Sequence, residues 1–318
     1  MTYILLIIGF GLLIFGANYF VDGSSKIAAL LNVPPILIGL TIVAFGTSSP
    51  EAIVSIMAAL QGSPDVAIGN VVGSNIFNVT LVIGITAIIY SLKVEDETIR
   101  KEIPFTLLAS AALLIMISDT ALQSTSSNVI TRSEGLVLLL FFVVFMYYIF
   151  EVARKSRNEN PVEQVDSSGN TWGKQIFITI MGLAAIIFGG NLVVSSSTDI
   201  AYSLGMSETL VGLTIVAVGT SLPELVTSIS AALKKQSEIA LGNIVGSNIF
   251  NIFFILGISS VITPLTVDNK IFIDVTVMIL LTVLLLFFSR THFKVGKYEG
   301  MILAGAYILY LIYIIIRN

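Results

Sequence analysis

The chain contains no cysteine and one histidine, and only 11% of its 318 residues are charged. Without cysteine it forms no disulfide, no zinc–thiolate site and no thiol nucleophile. Soluble domains carry about 25% charged residues, whereas 55% of this chain is hydrophobic. So few charged residues are not enough to cover the surface of a water-soluble protein of this length. The composition therefore indicates a polytopic membrane protein, and the net charge of -4 gives no sign of nucleic-acid binding.

Ten stretches are apolar over roughly the 20 residues that a spanning helix needs. They predict an all-α membrane protein with ten transmembrane helices. The first stretch lacks a basic flank and a small-residue cleavage site, so we interpret it as a span and not as a removable signal peptide. The predicted spans, numbered 1 to 10, are residues 3–22, 34–60, 65–90, 103–119, 132–152, 175–195, 208–233, 238–262, 270–289 and 298–316.

Lysine and arginine indicate the orientation, because cytoplasmic loops carry an excess of both. Thirteen of the 16 lie in or beside the loops after odd-numbered spans, and only Arg132, Lys270 and Arg317 lie on the other side. The first group includes the polar stretch 153–174, which is predicted to be a flexible linker between two halves. The linker is therefore predicted to be cytoplasmic, and both termini extracellular.

Two motifs occur twice at one offset. TIVAFGTSSPE from residue 41 recurs as TIVAVGTSLPE from residue 214, and GNVVGSNIFN from residue 69 recurs as GNIVGSNIFN from residue 242, both 173 residues later. A unit of five spans reverses its orientation when it is repeated. The chain is therefore predicted to contain two inverted repeats, 1–152 and 175–318, with the motifs at about 40–80 and 213–253. Such repeats are typical of secondary transporters, whose substrate site lies between them at the midplane.

Prolines interrupt both copies of the first motif. Pro50 and Pro223 lack an N–H and clash with the carbonyl four residues earlier, so spans 2 and 7 are predicted to break there. Non-helical backbone is tolerated in a membrane only where protein or a water-filled cavity satisfies it. The carbonyls just upstream, at Ala44 and Ala217, are candidate metal-ion ligands.

Polar side chains recur every four residues, a spacing that places them on one helical face. The glycines of the second motif predict close helix packing, and its asparagines and serines predict either hydrogen bonds between helices or contacts with an ion. The positions with this spacing are Thr47, Glu51 and Ser55; Asn70, Ser74 and Asn78; Thr220, Glu224 and Ser228; and Asn243, Ser247 and Asn251.

Two glutamates lie deep inside predicted spans, away from the span ends. An ionised carboxylate at the bilayer centre costs at least about 2.5–3.5 kcal/mol, and spans 2, 3, 7 and 8 contain no basic residue to pair with Glu51 or Glu224. The only histidine, His292, lies in a predicted loop. Protons or cations must therefore neutralise the glutamates. The surrounding carboxylate, hydroxyl, amide and carbonyl oxygens suit Ca²⁺ and Na⁺ and not soft metals.

The two motifs, in this order and in both halves, resemble the α-repeats of the sodium/calcium exchanger family, and the resemblance covers essentially the whole chain. It implies a Na⁺/Ca²⁺ antiporter with no cofactor, whose bound ions are the Ca²⁺ and Na⁺ that it transports. It also implies that spans 1 and 6 slide over the other helices, in a prokaryotic cell membrane. The implied ion ligands are Glu51, Glu224, Thr47, Ser48, Thr220, Ser221, Ser74, Ser247, Asn78, Asn251 and the carbonyls of Ala44 and Ala217.

The sequence departs from some relatives at two positions. Potassium-dependent exchangers place Asp where this chain has Asn78 or Asn251, so the resemblance implies exchange without K⁺. An exchange of three Na⁺ for one Ca²⁺, typical of the family, would be electrogenic. The large regulatory loop of eukaryotic members does not occur in this sequence.

Other functions remain open at this point. Proton/calcium exchangers carry a second acidic residue in the Gly-Asn motif, where this chain has Gly73 and Gly246. Antiport of a different cation is a further alternative. An intramembrane protease would need a Ser/His or Asp/Asp dyad, and no predicted span contains a histidine. A structural scaffold would not explain two unpaired glutamates inside the membrane.

Overall fold

The computed structural model describes residues 2–122, 124, 127–159, 172–205, 217–268 and 270–317. These residues are almost entirely helical, and four of the helices contain or follow a π-helical turn: Gly39–Val43, Asn78–Val82, Thr98–Glu102 and Phe250–Leu256. The helices are α1 (Thr2–Leu31), α2 (Pro35–Thr47), α3 (Ser49–Leu60), α4 (Pro64–Ile89), α5 (Ile103–Met116), α6 (Asp119–Leu122), α7 (Arg132–Glu159), α8 (Trp172–Ser203), α9 (Ala217–Thr220), α10 (Leu222–Leu233), α11 (Ser237–Ile262), α12 (Lys270–His292) and α13 (Lys297–Arg317).

Most of the predicted spans appear as long apolar helices. Among the described residues, seven helices are long and apolar enough to cross a membrane, or eight if the bent pair α2–α3 counts as one span. They are α1, α4, α7, α8, α11, α12 and α13. Predicted span 4 corresponds to α5, which has 14 residues. The first part of predicted span 7 lies outside the described residues.

Several helices extend beyond the predicted ends. Helix α1 continues to Leu31 and α7 to Glu159, so the first part of the predicted linker is helical. The rest of that linker, up to residue 171, lies outside the described residues. His292 is the last residue of α12 and does not lie in a loop as predicted. Apolar length sets only a minimum, because backbone hydrogen bonds can continue a helix into the interface.

Helices α4 and α11 form the centre of the molecule. In their apolar windows, 72% and 83% of the residues are buried, compared with 33% in α1 and in α8. Helix α2 lies directly on α11, because a Cβ atom on Gly242 would come within 2.6 Å of the Ile36 carbonyl oxygen. Gly246 approaches the Leu40 carbonyl in the same way, also at 2.6 Å. Glycine is required at these two positions, as the small-residue pattern predicted. No described atom lies within 4 Å of a Cβ at Gly69 or Gly73, so the same prediction is not confirmed in α4.

Helices α1 and α8 pack against each other as a long pair. A Cβ atom on Gly16 would lie 2.9 Å from the Gly182 carbonyl oxygen, and one on Gly189 would lie 2.8 Å from the Gly9 carbonyl oxygen. The two backbones are therefore in contact at two levels of the helices. The outer faces of the pair carry exposed apolar side chains such as Phe15, which suits contact with lipid.

In the described part of the chain, four short strands connect the ends of the helices. Strand β1 (Leu92–Lys93) pairs antiparallel with β4 (Lys294–Val295), and β2 (Asn128–Ile130) pairs antiparallel with β3 (Leu265–Val267). Each pair joins one strand from each half of the sequence. The β1–β4 pair joins two loops predicted to be cytoplasmic, and the β2–β3 pair joins two loops predicted to be extracellular, so each pair joins loops predicted to lie on the same side of the membrane.

A buried ion pair holds the end of α13 to α12. The Arg317 guanidinium donates to both oxygens of Asp274, at 2.9 and 3.0 Å, and also to the Lys270 carbonyl at 3.3 Å. Asp274 is only 5% exposed. Removing one partner of a buried pair leaves an uncompensated charge, which is more destabilising than the absence of both.

We therefore expect Arg317→Gln to lower the free energy of unfolding by about 3 kcal/mol. The measurement is thermal unfolding of the purified protein in detergent. Arg132→Gln is the matched control, because the Arg132 guanidinium is exposed where it donates to the Ile262 carbonyl at 3.3 Å. The double variant Asp274→Asn/Arg317→Gln should recover part of the loss. Equal effects of the two single arginine substitutions would contradict the role of this pair.

Candidate cation-binding site

Both copies of the first motif contain a helix break. Ser48 separates α2 from α3 with φ -82° and ψ 8°, and the two helices are bent by 50°. Ser221 separates α9 from α10 with φ -91° and ψ 5°. Each proline lies in the first turn of the following helix, where its missing N–H removes no helical bond. The predicted breaks are confirmed in span 2 and in the described part of span 7.

The breaks change the position of the two glutamates. Thr47 ends α2, whereas Glu51 lies in the first turn of α3, so they do not share one continuous helical face as the spacing predicted. Glu224 likewise lies in the first turn of α10. The N-terminus of a helix carries a partial positive charge, which stabilises a nearby carboxylate. Each break therefore provides a favourable place for an anionic side chain inside the membrane.

The serine at each break contacts the glutamate of the other half. Ser48 Oγ donates to Glu224 Oε1 at 2.8 Å, and Ser221 Oγ donates to Glu51 Oε1 at 2.9 Å. Glu51 is 1% exposed and Glu224 is 0% exposed. The carboxylates are also close enough to act on each other electrostatically. The two motifs therefore meet in one buried site.

Asparagines of α4 and α11 form a reciprocal pair beside the glutamates. Asn75 Nδ2 donates to the Asn248 carbonyl at 3.2 Å, and Asn248 Nδ2 donates to the Asn75 carbonyl at 3.4 Å. Asn248 Oδ1 in turn accepts from Asn78 Nδ2 at 3.2 Å, and Asn75 Oδ1 accepts from Asn251 Nδ2 at 3.0 Å. The amide nitrogens of Asn78 and Asn251 are thereby engaged, which orients both side chains.

Further hydrogen bonds hold the glutamate helices on α4 and α11. Asn243 Nδ2 donates to Ser228 Oγ at 3.0 Å, and Asn243 Oδ1 accepts from Thr47 Oγ1 at 3.0 Å. The equivalent bonds, 173 residues away, join Asn70 Nδ2 to Ser55 Oγ at 2.9 Å and Thr220 Oγ1 to Asn70 Oδ1 at 3.4 Å. The network therefore repeats with the two halves of the chain exchanged.

Four buried oxygens in this network have no hydrogen-bond partner. They are Glu51 Oε2, Glu224 Oε2, Asn78 Oδ1 and Asn251 Oδ1. A buried acceptor without a partner costs about 1–3 kcal/mol, and more when it is charged. All four are hard oxygen donors, the type that Ca²⁺ and Na⁺ prefer. A bound cation would satisfy them.

The remaining predicted ligands lie around this group. Ser221 Oγ lies 3.0 Å from Ser74 Oγ, and Ser247 Oγ donates to the Ala44 carbonyl at 3.5 Å. The break does not free the Ala44 carbonyl as predicted, because it accepts from the Ser48 N–H at 3.0 Å. With Ser247 Oγ and Thr47 Oγ1, the latter at 3.3 Å, also donating to it, both lone pairs of this carbonyl are engaged, and its role as an ion ligand stays a prediction. Ala217 is the first residue of α9.

The charge of the site comes from two residues. Among the described residues, no group of three or more His, Cys, Asp or Glu side chains is placed to hold a metal ion. Any cation held here therefore relies on two carboxylates and on neutral oxygens. Asn75 and Asn248 emerge as the residues that orient Asn78 and Asn251, a role that their spacing alone did not assign.

Comparison with known families gives one assignment over nearly the whole chain. The family described as "Sodium/calcium exchanger protein" matches residues 1–151 and 174–316. The chain is 34% identical to sodium/calcium exchanger MaX1 of Methanosarcina acetivorans, with 98% of this chain and 97% of that protein covered. It is 35% identical to inner membrane protein YrbG of Escherichia coli, with 96% and 94% covered.

The fold also matches solved structures. One of these is the sodium–calcium exchanger NCX_Mj soaked with 2.5 mM Na⁺ and 0.1 mM Ca²⁺, with a TM-score of 0.81 and 31% identity. The match covers 97% of this chain and 96% of that chain. The same exchanger soaked without Na⁺ and Ca²⁺ gives a TM-score of 0.82.

Proposed function

This chain belongs to the sodium/calcium exchanger family, and from that membership and its buried oxygens we propose that it exchanges Na⁺ for Ca²⁺ by alternating access. The family consists of membrane antiporters, so the chain is a cation/calcium antiporter and not an enzyme. Its ions are substrates and not cofactors. The observation that carries the proposal is the set of four unpartnered oxygens on Glu51, Glu224, Asn78 and Asn251.

The negative charge of the proposed site is balanced by the positive charge of its substrates. One Ca²⁺ neutralises the two carboxylates, and so do two Na⁺. The hydroxyl and carbonyl oxygens complete the coordination, and a third Na⁺ is held by neutral oxygens only. The proposed ligands are Glu51, Glu224, Thr47, Ser48, Thr220, Ser221, Ser74, Ser247, Asn78, Asn251 and the carbonyls of Ala44 and Ala217.

An empty site opposes its own reorientation. Without ions, Glu51 and Glu224 would present two negative charges to a low-dielectric interior, where an isolated charge is costly. The loaded carrier avoids this cost with either substrate. This difference favours the exchange of one ion species for the other and suppresses an uncoupled leak.

The proposed architecture is ten spans arranged as two inverted repeats, 1–152 and 175–318, joined by the cytoplasmic linker 153–174, with both termini extracellular. The hydrogen bonds that recur at an offset of 173 residues support it. Both strand pairs also join one half to the other. The basic residues of the linker support its cytoplasmic side.

Packing at one glycine favours Na⁺ over H⁺ as the coupling ion. Proton/calcium exchangers are expected to carry an acidic residue at the position of Gly246 or Gly73. A Cβ atom at Gly246 would lie 2.6 Å from the Leu40 carbonyl oxygen and 2.8 Å from Ala44 Cβ. An acidic side chain therefore does not fit at position 246, between α2 and α11, whereas no described atom lies within 4 Å of a Cβ at Gly73, so packing supports this choice in one half only.

The test of this proposal is ⁴⁵Ca²⁺ uptake into proteoliposomes driven by opposing gradients. An outward Na⁺ gradient should drive uptake, whereas a pH gradient without Na⁺ should not. Replacing K⁺ by choline on both sides should leave the rate unchanged, because Asn78 and Asn251 add no third carboxylate. Uptake driven by the pH gradient alone would overturn the choice of Na⁺.

Exchange of three Na⁺ for one Ca²⁺ moves one net positive charge with the Na⁺. Moving one elementary charge across the membrane changes its free energy by about 2.3 kcal/mol per 100 mV of membrane potential. We therefore expect a potential of about 60 mV to shift the equilibrium Ca²⁺ ratio by about tenfold. An interior-negative potential should lower internal Ca²⁺. Clamped proteoliposomes at equal Na⁺ gradients measure this shift, and an unchanged ratio would indicate electroneutral exchange.

A further inference from the structure

The helix pair α1–α8 lies at the edge of the central helices. Its apolar windows are much less buried than those of α4 and α11, and its two backbones contact each other directly through glycines. In transporters built from repeats, one bundle moves against the rest around a fixed site. The contacts between this pair and α3 or α10 therefore lie where the carrier must open.

A polar cluster joins α1 to the end of α10. Lys234 Nζ lies 2.7 Å from Asp22 Oδ1 and donates to the Asn18 carbonyl at 2.5 Å. One turn earlier, Ser230 Oγ donates to Asn18 Oδ1 at 2.8 Å. We name Asn18, Asp22, Ser230 and Lys234 the α1–α10 latch. The Lys234 side chain is only 25% exposed, so the contact is partly shielded from water.

The equivalent positions of the other half carry no such latch. At the offset of 173 residues, Asn191 and Ser195 of α8 correspond to Asn18 and Asp22, and Met57 and Gln61 correspond to Ser230 and Lys234. None of these four residues is charged. The Ser195 hydroxyl instead donates within α8, to the Leu192 carbonyl at 3.3 Å.

The helix contacts differ between the two halves in the same way. Helix α1 packs along α10 at the latch, whereas α8 barely contacts α3 among the described residues. The structure is therefore closed between α1 and α10, whereas the equivalent contact between α8 and α3 is at most slight. Among the described residues, a charged pair links α1 to α10 and none links α8 to α3.

We propose that the α1–α10 latch holds the cytoplasmic side of the carrier closed and biases it toward the outward-facing state. The proposal rests on the proposed antiport function and topology. A symmetric repeat would give equal closure on both sides, and the charge pair breaks that symmetry. The cytoplasmic side opens only when Lys234 leaves Asp22 and Asn18.

Cysteine labelling tests the latch, since the chain contains no cysteine of its own. Thr227 lies on the face of α10 that also carries Ser230 and Lys234, and it is 0% exposed. Its equivalent in α3 is Val54. Thr227→Cys reports opening on the cytoplasmic side, and Val54→Cys reports opening on the extracellular side. A membrane-impermeant methanethiosulfonate is added to inside-out or right-side-out vesicles.

The test variant is Lys234→Gln, which reproduces the Gln61 of the other half. We expect the cytoplasmic labelling rate of Thr227→Cys to rise about fivefold, the scale of a strong partly exposed ion pair, and extracellular labelling of Val54→Cys to fall. Asp22→Ser, which reproduces Ser195, should act in the same direction. Lys235→Gln is the control, because Lys235 is exposed and takes no part in the latch.

Opposite changes at the two reporters support the latch, and recovery of the original rates in Asp22→Lys/Lys234→Asp supports it further. Unchanged rates in Lys234→Gln, or faster labelling at both reporters through general loosening, would overturn it. Labelling needs no ion flux. A parent protein that fails to exchange Na⁺ for Ca²⁺ but labels as expected would therefore refute the proposed function and not the latch.

Discussion

Glu51→Gln should lower Na⁺-driven ⁴⁵Ca²⁺ uptake by at least about 100-fold, equivalent to about 2.7 kcal/mol. The substitution keeps the size of the side chain and its bond with Ser221 but removes one of the two charges of the site. At an effective dielectric constant of about 20, a carboxylate attracts a contacting Ca²⁺ by on the order of 10 kcal/mol before desolvation is subtracted. Glu224→Gln should have an equal effect, because Ser48 holds Glu224 in the equivalent way.

The control for this prediction is Asp65→Asn. Asp65 also lies in the first turn of a helix, α4, but its side chain is exposed. Its removal should leave the flux within about twofold of the parent, since an exposed charge is screened by water and salt. A direct binding measurement completes the test: the Ca²⁺-induced rise in melting temperature should disappear in both glutamate variants. Substantial flux in either variant would refute the assignment of the site.

Gly246→Val should reduce the same flux by at least about tenfold, because a displacement of about 1 Å at a site can cost 100-fold. A Cβ atom at this position would meet the backbone of α2, at 2.6 Å from the Leu40 carbonyl oxygen and 2.7 Å from Leu40 Cα. Backbone atoms cannot rotate away, so α2 must shift. That shift moves Ala44 and Thr47, which lie one turn or more along the same helix.

Stability should fall together with transport in Gly246→Val. Overpacking a well-filled interior costs about 1–3 kcal/mol, and thermal unfolding in detergent measures it. Gly305→Val is the matched control, because no described atom lies within 4 Å of a Cβ at Gly305. Equal losses at the two positions would show that valine harms these helices through its backbone propensity and not through the contact between α2 and α11.

Some of the site was predictable because its causes are local. A proline cannot continue a helical hydrogen-bond ladder, so the breaks near Pro50 and Pro223 follow from the sequence. Apolar length predicted most of the spans. The repeated offset of 173 residues predicted that the two copies have related surroundings, and the hydrogen bonds of Ser48 and Ser221 repeat in that way.

Other features depend on contacts that no local pattern specifies. The Ala44 carbonyl was expected to be freed by the break, but the Ser48 N–H still reaches it. The true helix ends, such as Leu31 of α1, lie beyond the apolar stretches. The α1–α10 latch was also hidden, because Asn18 and Ser230 are 212 residues apart in the chain.

The sequence by itself determined that this chain lies in the membrane, is built from two related halves and places one unpaired glutamate in each. Composition, covalent order and hydropathy are properties of the chain before it folds. Only the tertiary structure decided which oxygens remain without a partner. Glu51 receives its hydrogen bond from Ser221, 170 residues away, and the oxygen left over is defined only once that distant donor is in place.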